Sequence, residues 1–238
     1  MPTAWLNLRY STGDRVDAFR SGLERLGFSV EVGLCAMPRH GDLLVTWNRV
    51  GQADIIARRY SHVLVAENAS WGNGFLGGSW LTLARDRHNT AGMFPVGGRE
   101  RWDSLGVDLA PWRTSGETVI LPQRGIGSPP TAMPAGWERS AVKRFGGRVR
   151  KHPGKQEAKP LADDLARCGR VVTWGSGAAV QALMMGIPVT SDMPHWIAEQ
   201  DNTDAGRLAM FRRLAWAQWR MTEIESGEAF AWLLPSRA

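Results

Sequence analysis

Residues 170–190 read RVVTWGSGAAVQALMMGIPVT, and this stretch decides the fold. The β-branched run Val171-Val172-Thr173 predicts a strand. It enters the small turn Gly175-Ser176-Gly177 and leaves as an Ala/Val/Gln/Leu/Met run with strong helix propensity. Gly186 stops that helix, and Pro188-Val189-Thr190 opens a second short strand. Strand, tight turn, helix, strand is the parallel crossover of α/β proteins. Its chemically useful point is the turn, where the Ser176 hydroxyl meets the free N–H groups of a first helical turn. Unpaired donors and the positive end of a helix dipole there suit a phosphate. The plainer reading is that Ser176 only caps the helix.

The same grammar runs through the rest of the chain. Trp5-Leu6-Asn7-Leu8-Arg9-Tyr10 alternates like a first strand, and a helix over 15–26 places Val16, Phe19, Leu23 and Leu26 on one stripe. Gly27 ends it, and residues 28–32 form the next strand. This is a Rossmann-like opening, but GxGxxG is missing, so a dinucleotide is not indicated. Strands over 42–47 and 62–66 follow, with a helix over 51–60 between them. Ligands of open α/β sheets gather at the carboxyl ends of strands. Asn48 with Arg49, and Glu67 with Asn68, stand at two such ends, which makes Glu67 a candidate base. Residues 72–98 read as a long glycine-rich loop that holds His88, either an acceptor-side catalytic group or a surface histidine.

Pro111 and Gly116 mark a linker over 108–116, dividing the chain into 1–112 and 113–238. A strand from Thr118 ends in Gln123-Arg124-Gly125, whose glycine and guanidinium suit close approach to a ligand. A helix over 137–145 leads to a strand ending at His152, where Pro153 forbids further ladder. Two closing helices are expected, one over 207–219 and one over 227–234 capped by Ser226.

The chain has 238 residues, 43% of them hydrophobic, enough for two small domains with real cores. No run approaches the roughly 18 apolar residues of a membrane span, and residues 1–10 lack a signal core. A soluble, cytoplasmic protein without membrane insertion is expected. Cys35 and Cys168 show no CxxC spacing and read as free thiols. The net charge of +6 suits an anionic partner. Twelve tryptophans include Trp71, a candidate platform for a sugar or base. No DxD motif stands out, so no metal is expected.

Three motifs, Glu67-Asn68, His152-Pro153 and Gly175-Ser176-Gly177 with Gly186-Ile187-Pro188-Val189, occur in an order that resembles the GT-B-fold glycosyltransferases. The likeness is to bacterial sialyltransferase-like and capsule-polysaccharide enzymes. It covers roughly residues 118–194. It implies two Rossmann-like domains facing across a cleft, an acceptor-side domain at 1–112 and a nucleotide-sugar-binding domain with closing helices at 113–238. Ser176, Gly175 and Gly177 would hold the donor phosphate, His152 would contact the nucleotide, and Gln123, Arg124 and Gly125 would line the same site. Glu67 would be the general base of an inverting transfer, with His88, Asn48, Arg49, Asn68 and Trp71 on the acceptor side. The chain departs from the family's acidic motif at Asn68-Ala69. The layout also resembles small glycosyltransferase-like proteins of tailed phages, through segments such as Val65-Ala66-Glu67-Asn68 and Arg87-His88-Asn89. That likeness implies double-stranded DNA with modified bases, its hydroxymethylated pyrimidines flipped out, as an acceptor. A saccharide or lipid-linked acceptor is the alternative. A non-catalytic nucleotide- or DNA-binding protein and an epimerase-like enzyme acting on the nucleotide sugar are the competing functions. The residues do not fix the oligomeric state.

Overall fold

The computed structural model describes residues 1–8, 13–87, 91–125, 131–152 and 159–235. The chain forms two compact units, one of residues 1–97 with 215–238 and one of residues 98–214. This corrects the division at 112/113 in two respects. The second unit begins at Gly98, and the closing segment belongs to the first unit.

The first unit opens with β1 (Thr3–Asn7), α1 (Gly13–Arg25), β2 (Ser29–Val32), β3 (Leu43–Trp47), α2 (Gln52–Ala57) and β4 (His62–Asn68). β1 pairs in parallel with β2 and β3, and β3 with β4, as the opening pattern predicts. In α1, Ala18, Phe19, Gly22 and Leu23 face the core, Asp14 lies in the first turn and Arg25 in the last, each complementing the helix dipole. The helix stops at Gly27, whose φ is +78°. There Gly27 N–H donates to Glu24 O and Phe28 N–H to Leu23 O, a Schellman ending.

β5 (Trp80–Arg85) then runs antiparallel to β4, inside the stretch expected as one long loop. Trp80 to Ala84 are all buried. A strand covered on both faces shows no alternation, and the glycines at 72, 74, 77 and 78 mimic a loop signal.

The second unit contains α3 (Glu100–Asp103), β6 (Glu117–Leu121), α4 (Trp137–Phe145), β7 (Arg148–Val149), α5 (Leu161–Asp164), β8 (Cys168–Thr173), α6 (Ala178–Met184), β9 (Val189–Ser191) and α7 (Asp204–Leu214). Its sheet is all parallel in the order β7-β6-β8-β9. The decisive stretch forms the expected strand, turn, helix and strand. Gly186 ends α6 with φ +72°, and Ile187 N–H donates to Ala182 O. The expected linker at 108–116 is instead packed into this unit. Arg207, 3% exposed, donates to Ala110 O (2.8 Å) and Leu183 O (3.2 Å) and lies 4.0 Å over the Trp112 ring. A buried guanidinium keeps such carbonyl partners because leaving it unpaired would be costly.

The chain then returns to the first unit. The helix expected over 207–219 ends at Leu214, and a single 3₁₀ turn (Ala215–Ala217) leads into β10 (Gln218–Arg220), antiparallel to β5. The first unit's sheet is therefore mixed, in the order β10-β5-β4-β3-β1-β2. Pairing with a free strand edge and burial of Trp219 override the helical pattern here. α8 (Met221–Glu225) and α9 (Glu228–Leu233) follow, with Ser226 Oγ accepting from Glu228 N–H (3.4 Å). Ile224, Phe230 and Leu233 join Phe19 and Leu23 in one core. Among the described residues no helix is long and apolar enough to cross a membrane.

The crossing of α1 and α8 depends on Gly22, where an added Cβ would lie 1.9 Å from Ile224 O and 2.8 Å from the Phe230 ring. Gly22→Ala should therefore cost about 1–3 kcal/mol by overpacking. Thermal unfolding should show a clearly lowered midpoint; an unchanged one contradicts this packing.

Candidate active site

In the second unit the site grows from the carboxyl ends of β6 and β8. Thr173, the last residue of β8, is fully buried; its hydroxyl donates to Leu121 O (2.8 Å) and accepts from Ser176 N–H (2.9 Å). Gly175 follows with φ +73°, and a Cβ there would lie 2.7 Å from Met193 Sδ. The positive φ favours glycine, and a Cβ would also need the Met193 side chain to shift. Ser176 Oγ accepts from Ala178 N–H (3.3 Å), and Ala179 N–H donates to Ser176 O (3.1 Å). The Ser176 side chain thus serves the first helical turn from outside it, and among the described residues the Ser176 hydroxyl proton and the Gly177 N–H meet no acceptor.

Gln123 joins the two strand ends, its Nε2 donating to Gly175 O (3.0 Å). With Arg124 and Gly125 it also lines a depression of about 400 Å³, completed by Met133, Gly136 and Arg139 among others. Two tryptophans brace this region. Trp174 Nε1 donates to Thr131 O (3.1 Å), and Trp137 meets the Trp174 ring edge-on at 6.1 Å while its Nε1 donates to Asp192 (2.8 Å). Met133, Gly136 and Arg139 carry no motif, so the sequence offered no sign of them beyond the glycine that precedes α4.

His152 is exposed, yet its pKa lies below the ordinary 6.5. Partial loss of water around the ring is the larger cause, and the positive fields of Arg124 and Arg150 add to it. Arg150 is paired with Asp164 at 2.5 Å. Donors, an arginine and a histidine in the field of two arginines make a corner suited to an anion.

In the first unit Glu67 is the penultimate residue of β4, half-buried and in register with Thr82 of β5. The loop after it is pinned closely. Gln218 Oε1 accepts from Ser70 N–H (2.9 Å) and from the Thr82 hydroxyl (2.8 Å). Asn73 donates to Asn68 Oδ1 (2.8 Å) and accepts from Ala69 N–H (2.8 Å). Asn48 adopts φ +59° and donates its N–H to Ala66 O (3.2 Å), so β3 and β4 end side by side.

Two expected acceptor-side residues have other work. Trp71 is 3% exposed, stacked on Phe75 at 5.0 Å and edge-on to Trp80 at 5.1 Å, so it is loop core and not an open platform. The Arg49 guanidinium is bound to Asp54 (2.9 Å) and to Asp86 O, which holds the strand end. Both placements have one cause: burial and pairing set by β5 and α2, which a motif does not show. His88 lies outside the described residues. Among the described residues no three His, Cys, Asp or Glu side chains gather as a metal site.

The depressed His152 pKa has a consequence that can be measured. The unfolded chain binds the His152 proton more readily than the folded chain, so its contribution to stability is present above pH 6.5 and lost as the pH falls through the folded value. An anion bound beside it should raise its pKa. NMR titration of the His152 ring should therefore give a higher pKa with pyrophosphate present, whereas an unmoved or lowered value contradicts an anion site here.

No protein-family model matches the chain, and no curated protein matches it. Among solved structures, the chain is similar to Thermosulfurimonas dismutans KpsC, a beta Kdo 2,7 transferase, at 11% identity and a TM-score of 0.53. That match covers 96% of this chain and 99% of the other. Ligand-free aspartate transcarbamoylase from Trypanosoma cruzi matches at 14% identity over 90% of this chain and 81% of its own, with a TM-score of only 0.27. The chain shares a two-sheet α/β fold with the KpsC structure along nearly its whole length.

Proposed function

We propose that this protein is a GT-B-type glycosyltransferase that moves a sugar from a nucleotide sugar to an acceptor hydroxyl. The observation that carries the reading is the corner at the carboxyl ends of β6 and β8. There Gln123 ties the Ser176 turn to the Arg124-lined depression, and His152 lies in the field of Arg124. The fold shared with a sugar transferase is consistent with it.

In this reading residues 98–214 hold the donor. The nucleoside occupies the depression, and the diphosphate meets Arg124, the Ser176 hydroxyl, the Gly177 N–H and His152. Glu67 takes the proton from the acceptor hydroxyl as its oxygen attacks the anomeric carbon. The bond from that carbon to the diphosphate oxygen breaks, and the leaving nucleotide carries away the electron pair. Its developing charge is met by the same donors, an electrostatic stabilisation set up in advance. Attack opposite the leaving group inverts the anomeric centre. Asn48 and Asn68 border the acceptor position.

The charge distribution favours a small anionic donor over a polyanionic acceptor. Residues 98–214 hold 17 of the 29 Lys and Arg against 12 of the 23 Asp and Glu, a surplus of five out of the total six. The unit carrying Glu67 is nearly neutral, which gives a DNA duplex little to bind there.

Incubation with a panel of UDP-, GDP- and TDP-sugars should reveal donor turnover. Glu67→Gln should reduce it by about 10²–10⁴-fold while leaving the nucleotide Kd unchanged. Ser176→Ala should raise that Kd several-fold, the loss of one hydrogen bond to a charged group. Wild-type-like turnover in Glu67→Gln sinks the base assignment. Nucleotide binding without turnover on any donor means a binding protein instead.

A further inference from the structure

Most partly buried arginines of the first unit spend their guanidinium on the protein itself. Arg20 donates to Val30 O (3.0 Å), Arg49 is paired with Asp54, and Arg85 donates to Leu233 O. Arg15, in the first turn of α1, is different. It is half-buried, and its carbon Cζ lies 4.8 Å over the ring of Trp47; among the described residues no carboxylate or carbonyl meets it. Burial lowers its pKa, and no anion offsets that effect. A cation–π contact fixes the plane of a guanidinium without neutralising it, so the charge and the N–H fork stay available.

The location matters as much as the pairing. Trp47 is the last residue of β3 and is in register with Ala66 of β4, the neighbour of Glu67. Arg15 therefore stands at the same carboxyl edge of the sheet as the proposed base, where open α/β sheets take ligands. Its place is on the first unit.

We propose that Arg15, held over Trp47, recognises an anionic group, a carboxylate or a phosphate, carried by the acceptor; this rests on the transferase reading above. An aromatic ring orients the guanidinium, which grips two oxygens of the anion through parallel charge-assisted hydrogen bonds. A neutral acceptor would leave that fork unpaired in a partly desolvated place, so Arg15 selects charged over uncharged acceptors.

The test uses the full chain and follows the Trp47 indole N–H by NMR, assigned with Trp47→Phe, during titration with glucuronate, glucose 6-phosphate or glucose. The indole should shift with one or both anions and not with glucose. A response to glucuronate alone names a carboxylate, and a response to glucose 6-phosphate alone names a phosphate. Arg15→Gln should weaken the response about tenfold or more, and Arg15→Lys, which keeps charge without the planar fork, should weaken it less. Should Arg15→Gln fail to fold, the Arg15→Lys comparison carries the test, and wild-type affinity there overturns the proposal. An equal response to glucose, no response to any probe, or an unaltered response in Arg15→Gln also overturns it. Titration of the same samples with UDP, GDP and TDP separates the two levels. Nucleotide binding with no anion response sinks only Arg15, whereas loss of nucleotide binding in the wild type sinks the transferase reading.

Discussion

One buried hydroxyl organises the second unit. Thr173 Oγ1 bonds at once to Leu121 O at the end of β6 and to Ser176 N–H in the turn after β8. Both strand ends are thereby fixed to a common point within the sheet's hydrogen-bonded frame. Gln123 adds a second tie, through Gly175 O. A site assembled from two loops needs such ties, because loops alone do not hold donors at hydrogen-bonding precision. Replacing Thr173 by valine would keep the volume and remove both bonds, leaving a partly buried N–H and a buried carbonyl less well satisfied.

The first unit solves a similar problem with distant sequence. Its sheet is extended by β10, which comes from the far end of the chain, and Gln218 on that strand fixes the loop following Glu67. α8 and α9 cover the face of α1, and Gly22 permits the close crossing. The closing segment therefore completes the core of the unit that holds Glu67, and it braces the strand end from which Glu67 projects.

The parallel strands and the turn of residues 170–190 were legible because their signals are local: β-branched runs, a glycine-bearing turn and a glycine stop. β5 and β10 were not. β5 is buried on both faces and has no alternation, while Gln218-Trp219-Arg220 continues a helical pattern until an unpaired strand edge claims it. The linker failed for a related reason. Pro111 and Gly116 do break regular structure, but Arg207, nearly a hundred residues later, draws that segment into the core of the second unit. At the site, the sequence placed Gln123, Arg124 and Ser176 at strand ends, and the structure joins Gln123 to the Ser176 turn. It did not show that Arg49 is ion-paired and Trp71 stacked and buried, nor that among the described residues the Arg15 guanidinium meets only a ring. Such facts are set by partners far away in the chain.

The account turns on an anion being held where β6 and β8 end. A crystal of the protein grown with a nucleoside diphosphate such as UDP tests this most directly. The diphosphate should lie within hydrogen-bonding reach of the Ser176 hydroxyl and the Arg124 guanidinium, with the nucleoside in the depression beside Gln123 and Gly136. A nucleotide bound elsewhere, with the Ser176 turn untouched, would contradict the account.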